Sequence, residues 1–145
     1  MIQLKPVTAE NLENVLALKV AAHQTGYVSS NAHSLAQAYV HQQTAWPFAV
    51  YDDETPVGFI MLGWYEARRQ HTLWKFMMDE RYQGKGLGRE ALLLGLAFLK
   101  EELGAREIYT GVSIGNHAAQ SLYRSVGFAE TGLEENGMIE MRRTC

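Results

Sequence analysis

The sequence has 145 residues, of which 47% are hydrophobic and 20% are charged. That length and composition predict one globular domain over residues 1–145, whose core needs neither disulfides nor a metal. The formal net charge of −3 excludes an overall basic surface of the kind that attracts nucleic acid or anionic membranes, so neither is expected as a partner.

The first third of the chain predicts a strand followed by two helices. Residues 2–7 form a short apolar run with Pro6 near its end, which a strand at the edge of a sheet tolerates. Thr8 is expected to cap the next helix, and a second helix is expected over about residues 33–43. The first helix would direct one apolar stripe at the core, formed by Leu12, Val15, Leu16 and Leu18.

The sequence gives no sign of secretion or of membrane insertion. The first residues contain no basic segment followed by an apolar one, so no secretory signal is recognised. No apolar run approaches the roughly 20 residues that cross a bilayer. The lone cysteine, Cys145, excludes an intramolecular disulfide and fits a reducing compartment. The expected location is the cytoplasm.

The rest of the chain alternates strands and helices. Residues 47–64 predict a β-hairpin around the turn DDETP. The elements expected after it are a strand at 71–78, a helix at 88–103 ended by Gly104, a strand at 107–113, a helix at 116–127 and a closing hairpin at 128–143. The resulting order, β-α-α-β-β-β-α-β-α-β-β, predicts an α/β protein with a mixed central sheet.

Residues 81–92, which read RYQGKGLGREAL, place Gly84, Gly86 and Gly88 directly before a helix. The first amides of a helix lack intrahelical partners, and its dipole favours a negative charge there. Glycines leave those amides open to an anion, and Lys85 and Arg89 add positive charge. The segment therefore predicts a phosphate site. The alternative is a tight turn that needs positive φ angles.

The segment also has features of two other phosphate-binding motifs. A P-loop is excluded because Gly84–Lys85 is followed by Gly86 rather than by serine or threonine. Residues 86–91 do spell the dinucleotide pattern G-x-G-x-x-A, with Glu107 about 20 residues on. However, Glu107 opens its predicted strand instead of ending it, and the neighbouring hairpins do not fit a run of βαβ units. A dinucleotide-binding protein remains the second interpretation.

The helix at 116–127 carries an amide and a phenol on one polar face. Asn116 is the expected N-cap, and Tyr123 follows seven residues later. At 100° per residue the two side chains lie within about 20° of each other and roughly 10 Å apart along the axis. Taken alone, the pair also fits an ordinary cap and a packed tyrosine.

Together the two motifs resemble those of the GNAT superfamily of N-acetyltransferases. The signature Q/R-x-x-G-x-G/A is carried by Gln83, Gly86 and Gly88, and the asparagine-to-tyrosine helix by Asn116, Tyr123, Gly127 and Phe128. The element order agrees over the whole chain. At finer detail, residues 47–63 and 74–92 are similar to the bacterial spermine/spermidine acetyltransferase branch.

The resemblance implies a cofactor site for acetyl-CoA. It implies that the strands at 71–78 and 106–113 are parallel and splay apart to form the cofactor cleft. The pyrophosphate is expected on the glycine segment, formed by Gln83, Gly84, Lys85, Gly86, Leu87, Gly88 and Arg89. The pantetheine is expected to contact Phe76, Met77, Met78 and Asn116. Met78 stands where many relatives have valine, which leaves the backbone contacts unaffected.

The resemblance also implies direct attack of a primary amine on the thioester, with Tyr123 protonating the departing thiolate. The acceptor is expected to be a polyamine such as spermidine or spermine. Another amine (an amino acid, an aminoglycoside or a protein N-terminus) and a non-catalytic acetyl-CoA sensor remain alternatives. A homodimer is implied by analogy only.

The catalytic base is left open by the sequence. Glu66, at the end of the hairpin, is the first candidate, and His71 and water are the others. The acidic turn at 52–54 is expected near the acceptor. The five histidines show no metal-ligand spacing, so no metal is expected. The three tryptophans are expected in the core.

Overall fold

The computed structural model describes residues 1–145. It contains seven strands and four α-helices in the predicted order. The strands are β1 (Ile2–Pro6), β2 (Ala45–Asp52), β3 (Thr55–Tyr65), β4 (Gln70–Met78), β5 (Glu107–Ser113), β6 (Ala129–Glu135) and β7 (Met138–Thr144). The helices are α1 (Leu12–Ala17), α2 (Asn31–Val40), α3 (Leu87–Leu103) and α4 (His117–Ser125), with short 3₁₀ turns at Ala22–Gln24 and Glu80–Tyr82.

The seven strands form one sheet in the order β1-β2-β3-β4-β5-β7-β6. All neighbours are antiparallel except β4 and β5, which run parallel. These two strands pair at only two positions, His71 with Ile108 and Thr72 with Tyr109, and separate towards their carboxyl ends. The predicted mixed sheet with two splayed parallel strands is confirmed.

The core lies on both faces of the sheet. One apolar cluster of 18 buried residues lies between the sheet and helices α3 and α4, and a second cluster of eight lies under α1 and α2. Helix α3 approaches β3 closely at Gly95, where a Cβ atom would stand 2.6 Å from Ile60 Cδ1. The absence of a side chain at Gly95 lets α3 pack directly on β3, and this packing also positions the first turn of the helix. None of the helices combines the length and apolarity that crossing a bilayer requires.

The first helix begins later than expected. Thr8 is not its cap, because the residues after it form a turn in which the Leu12 amide donates to the Thr8 carbonyl and the helix starts only at Leu12. Asn11 holds that turn, since its Oδ1 accepts the Thr8 amide at 2.8 Å. Of the predicted apolar stripe, Val15 and Leu18 are buried, whereas Leu12 and Leu16 are 36% and 37% exposed.

The second helix is shifted towards the N-terminus by two to three residues. Ser30 caps it by accepting the His33 amide on its Oγ, so the helix begins at Asn31. It ends at Val40 instead of residue 43, because the amides of Thr44 and Ala45 both turn back onto the His41 carbonyl. The ends of this helix could not be placed from the sequence, because several polar residues near each end could have formed the capping contacts.

Asp79 fastens the end of β4 to the chain after α1. Its carboxylate is 1% exposed and accepts the Lys19 amide at 3.0 Å, the Arg81 amide at 3.0 Å and Arg81 Nε at 2.8 Å. Burial by itself raises the pKa of Asp79, but the bonds from Arg81 and Lys19 outweigh it and lower the pKa below its ordinary value. The strand end that borders the glycine segment is therefore held rigidly.

Candidate active site

The glycine segment leaves a run of backbone donors open. Gly84 and Gly86 have φ angles of +75° and +81°, in the left-handed region, and Gly86 is the N-cap of α3 without any side-chain cap. None of the backbone N–H groups of residues 83–89 has an acceptor within the chain. A Cβ atom at Gly84 or Gly86 would meet nothing within 4 Å, so the space above the amides is free. This end of α3 can accept an anion of the size of a phosphate.

Gly88 has a different reason to be glycine. Its φ is not positive, and a Cβ atom there would stand 3.3 Å from Met78 Cγ and 3.5 Å from Phe76 Cζ. The first turn of α3 therefore lies against β4, which brings the open amides next to the strand where β4 leaves β5. Two glycines shape the loop and the third permits close packing.

Gln83 braces the segment with its side chain. Its Nε2 donates to the Met78 carbonyl at 2.9 Å and to Gln24 Oε1 at 2.9 Å, and its Oε1 accepts Gln24 Nε2 at 3.1 Å. The reciprocal amide pair joins the glycine segment to the 3₁₀ turn before α2. Sequence reasoning missed Gln24, because nothing local relates two residues 59 positions apart.

A cavity of about 320 Å³ lies where β4 and β5 separate, and we call it the inner cavity. It is bounded by the segment before α2, by both parallel strands and by the start of α4. Its polar lining includes Tyr27, Ser29, Asn31, Lys75, Asn116 and Tyr123. Asn116 and Tyr123 thus reach the same space, as their seven-residue spacing predicts.

Tyr123 is the most strongly desolvated titratable group of this cavity. Its side chain is 7% exposed, and burial raises its pKa from 10.0 to about 12. The phenol is therefore protonated throughout the neutral range and can donate a proton. Its ring packs on Phe128, with the centroids 5.8 Å apart.

Only the oxygen of the Asn116 side-chain amide makes a hydrogen bond within the chain. Its Oδ1 accepts the Ala119 amide at 3.3 Å as the N-cap of α4, while its Nδ2 makes no hydrogen bond within the chain. A free donor at the wall of the cavity can bond a ligand carbonyl.

A second cavity of about 690 Å³ adjoins the first, and we call it the outer groove. The two share lining residues of β4, β5 and β7, namely Leu73, Trp74, Lys75, Thr110, Gly111 and Met138. The outer groove is further bounded by the β3–β4 turn and by the β6–β7 hairpin. Its aromatic lining includes Trp64, Tyr65, Trp74 and Tyr109.

The outer groove is rich in charge. Glu66, Glu135 and Glu140 line it together with Arg68 and Lys75, which leaves one net negative charge when all five are ionised. Arg68 bonds Glu135 at 2.8 Å and lies 3.6 Å from Glu140. Glu135 and Glu140 were not predicted as site residues from the sequence, because the closing hairpin was predicted only as two strands and a turn.

Glu66 lines the outer groove and not the inner cavity that contains Tyr123. Its carboxylate is 72% exposed, accepts Trp64 Nε1 and lies 3.3 Å from Arg69. His71 lines neither space; its ring packs on Trp64 with centroids 4.7 Å apart, and burial lowers its pKa. A role for either as base stays a prediction.

Two expectations about the surroundings of the site are wrong. The turn at 52–54 borders neither cavity, and Asp52 and Asp53 instead bind the Met1 amine at 3.1 and 2.9 Å. Trp46 and Trp74 do pack on the two core clusters, whereas Trp64 packs on neither and lines the outer groove, as Trp74 also does. The neighbouring sequence does not show whether an acidic turn or an aromatic residue belongs to a binding site or to the rest of the fold.

Comparisons with known proteins agree with this geometry. Residues 13–128 match the model of the acetyltransferase (GNAT) family. The chain is 34% identical over 143 residues to a spermine/spermidine N(1)-acetyltransferase of Bacillus subtilis, covering 94% of this chain and 93% of that one. It is 39% identical over 75 residues to an L-2,4-diaminobutyric acid acetyltransferase of Streptomyces avermitilis, covering 50% and 41% of the two chains.

A solved structure shows the same fold. The spermidine N-acetyltransferase of Vibrio cholerae, in complex with CoA and spermine, superimposes with a TM-score of 0.78 at 21% identity. The superposition covers 99% of this chain and 95% of that one. The family model, the nearly full-length relative and the fold thus lead to one conclusion: this chain belongs to the GNAT family of acetyltransferases.

Proposed function

We propose that the protein transfers the acetyl group of acetyl-CoA to a primary amine of a polyamine. The observation that carries the proposal is the position of Tyr123. A neutral, buried phenol lines the cavity between the splayed strands, beside a helix end with unpartnered amides.

The chain offers a continuous surface for acetyl-CoA. The open amides of residues 83–89 receive the pyrophosphate. Lys85 and Arg89 add positive charge to the same segment; the Lys85 amine lies 5.8 Å from the centroid of the Tyr82 ring, and Arg89 donates to the Ser125 carbonyl at 3.4 Å. The backbone of Phe76, Met77 and Met78, on the edge of β4 that β5 has left, receives the pantetheine together with Asn116 Nδ2. When bound, acetyl-CoA supplies the thioester that an amine can attack.

Tyr123 acts as the general acid. A leaving thiolate is more easily expelled when a proton reaches it, and a buried phenol retains that proton at neutral pH. The proton is therefore available to the thiolate at the pH at which the amine attacks.

The outer groove receives the rest of the acceptor. Its glutamates attract cationic nitrogens, and its aromatic rings offer faces to alkyl chains and ammonium groups. The naming of the Bacillus subtilis relative as a spermine/spermidine acetyltransferase supports this assignment. Glu66 then serves acceptor binding, because its carboxylate is exposed and lies outside the inner cavity.

A diamino acid is the second candidate acceptor. Arg68 and Lys75 place two cations in the outer groove, where they could bind a carboxylate that a polyamine lacks. The partial match to the diaminobutyric acid acetyltransferase supports this candidate over half of the chain.

A thiol-release assay with acetyl-CoA tests the proposal against a panel of amines. The panel contains spermidine, spermine, 2,4-diaminobutyrate, a monoamine, an aminoglycoside and a peptide with a free N-terminus. We expect the highest kcat/KM for the polyamines. A preference for diaminobutyrate would favour the second candidate, and CoA binding without turnover of any amine would indicate a sensor. Tight binding of NAD in place of CoA would favour a dinucleotide-binding protein.

A further inference from the structure

The inner cavity contains a proton donor but no obvious proton acceptor. Its titratable lining residues are Tyr27, Lys75 and Tyr123, with no carboxylate and no imidazole. An amine acceptor reaches the enzyme as an ammonium ion, and it must lose a proton before its lone pair can attack. Within the inner cavity, a base can come only from this short set or from solvent.

Lys75 lies between the two spaces and is half-buried. It belongs to the set of residues that line both the inner cavity and the outer groove, so an acceptor that passes from one to the other passes this side chain. Its Nζ lies 3.1 Å from Ser29 Oγ, which fixes the amine near the segment before α2.

The surroundings of Lys75 stabilise its charged form less than water does. The amine forms no salt bridge, and the hydroxyl of Ser29 is its one hydrogen-bond partner in the chain. An ammonium ion has three donors, so two would lack a protein acceptor. Burial lowers the pKa of Lys75 below its ordinary value of 10.5. A desolvated lysine can thus serve as a base.

The other ionisable groups that face this amine lie in two places. Tyr27 and Tyr123 share the inner cavity with it. The outer groove adds a mixed set of acids and bases from the residue after α2, the end of β3, the β3–β4 turn, β5 and the β6–β7 hairpin: His41, Tyr65, Glu66, Arg68, Tyr109, Glu135 and Glu140. Arg68 pairs with two of the three glutamates, which reduces their attraction for the Lys75 proton.

We propose that Lys75, in its neutral form, is the general base that takes the proton from the acceptor ammonium. The proposal rests on the proposed function. One proton moves from the acceptor nitrogen to Lys75 Nζ, and the freed lone pair forms the N–C bond as the C–S bond breaks. The thiolate takes the phenolic proton of Tyr123, and the tyrosinate takes the second proton from the nitrogen. Lys75 then releases its proton to solvent, so the products are the amide, the free thiol and one proton.

Replacing Lys75 by methionine and by arginine tests whether the neutral amine is needed. Methionine removes the base, and arginine keeps the positive charge but cannot lose its proton. We expect both variants to lose a factor of about 10²–10⁴ in kcat/KM for spermidine, as removal of a general base does. The binding of CoA, measured by calorimetry, should be unchanged. Lys100→Met, on the exposed face of α3, is the matched control and should behave as wild type.

A pH profile gives a second readout that a structural role would not change. Lys75→Cys in a Cys145→Ser background leaves one thiol, which can be converted with bromoethylamine into γ-thia-lysine, a more acidic amine. Activity should return, and the acid limb of kcat/KM should move to lower pH than in wild type. Competitive labelling with acetic anhydride, followed by mass spectrometry, measures the Lys75 pKa directly in the free enzyme.

Three results would overturn the proposal. Wild-type rates for Lys75→Arg would mean that charge alone is needed. An acid limb that survives in Lys75→Met but disappears in Glu66→Gln would make Glu66 the base. A Lys75 pKa at or above 10.5 in the labelling experiment would mean that the amine is fully protonated at neutral pH and cannot be the base. In all three cases the wild-type enzyme still acetylates spermidine, whereas failure of the wild type with every amine would remove the proposed function and the base together.

Discussion

The inner cavity and the outer groove share six lining residues but differ in almost every other physical property. The titratable lining of the inner cavity is two phenols and one amine, and burial shifts the pKa of Tyr123 and of Lys75. The outer groove shares Lys75 with the inner cavity but adds three glutamates and an arginine that are paired with one another or with nearby groups, and much of this added charge is exposed to solvent. The difference indicates a division of labour. Proton transfer belongs where water is scarce, and recognition of a mobile cation belongs where charges stay hydrated.

The physical reason lies in what each task requires. A general acid must keep its proton until the transition state, and the phenol of Tyr123 is protonated throughout the neutral range. A polyamine must bind and leave many times, and exposed ion pairs of roughly 0–1 kcal/mol each permit rapid exchange. We therefore expect variants of the inner cavity to change kcat and its pH dependence, and variants of the outer groove to change KM and its salt dependence.

The largest effect is expected from Tyr123→Phe. The change removes the phenolic proton but keeps the ring that packs on Phe128. If Tyr123 is the general acid, kcat should fall by about 10²–10⁴ while KM for spermidine and the affinity for CoA stay close to wild type. Tyr27→Phe is the matched control, because Tyr27 lines the same cavity but is 38% exposed. Equal losses in the two variants would contradict a specific role for Tyr123.

Gly86→Val tests whether cofactor binding is independent of both cavities. The left-handed φ of +81° strains any branched residue, and the side chain would project into the open space above the amides. We expect CoA affinity to fall at least tenfold by calorimetric titration. Gly104→Val is a close control, since Gly104 caps the other end of α3 with φ +70° and equal free space. It should cost similar stability but leave CoA binding intact, because its amide already bonds the Lys100 carbonyl.

The desolvation of the inner cavity can be checked without any substrate. Tyr123 in the folded protein keeps its proton up to about pH 12, whereas the unfolded chain loses it near 10.0. The contribution of the protonated Tyr123 to the free energy of unfolding is fully present below pH 10 and is lost as the pH rises through the pKa of the folded state. At 1.36 kcal/mol per unit, the free energy of unfolding should fall by roughly 2–3 kcal/mol across that window. Urea unfolding of wild type and Tyr123→Phe between pH 9 and 12 measures it. A parallel decline in both proteins would contradict the strong burial of this phenol.

Much of the glycine segment and of the inner cavity could be predicted from the sequence, because the residues concerned are close together in the chain. Gly84, Gly86 and the start of α3 are adjacent in the chain, and Asn116 and Tyr123 share one helix face by spacing alone. The acceptor side could not be predicted in the same way. Lys75 and Glu140 reach one groove only because β4, β5 and β7 are neighbours in the sheet, and that order is a property of the whole chain.

The acidic turn at 52–54 illustrates the same limit from the other side. Its composition resembles that of a cation site, but its place at the β2–β3 connection removes it from β4 and β5. The Met1 amine then neutralises part of its charge. Charge density in a sequence segment indicates function only when the topology brings the segment to the site.

The smallest effect is expected in the outer groove, from Glu140→Gln. This carboxylate lines the groove, where one oxygen accepts the Thr131 hydroxyl at 2.8 Å and the other lies 3.6 Å from Arg68. The amide oxygen of glutamine can keep the bond from Thr131, so the change removes mainly the charge. Its loss should raise KM for spermidine by up to about fivefold, the equivalent of the roughly 1 kcal/mol upper range for one ion pair. The kcat should stay unchanged, because Glu140 lies outside the inner cavity. Steady-state kinetics at several salt concentrations measures both parameters.

Salt and substrate length separate this electrostatic effect from a structural one. Charges are screened beyond about 10 Å at 0.1 M salt, so the difference between Glu140→Gln and wild type should shrink as ionic strength rises. A monoamine has no distal nitrogen to place in the groove, and its KM should be the same in both proteins. Glu130→Gln is a suitable control, since Glu130 lies in the same hairpin and pairs with Arg124 at 3.1 Å but does not line the groove. If the monoamine and spermidine lose affinity equally, or if the loss persists at high salt, the groove does not bind the distal charge of a polyamine, and the division of labour between the two cavities would have to be abandoned.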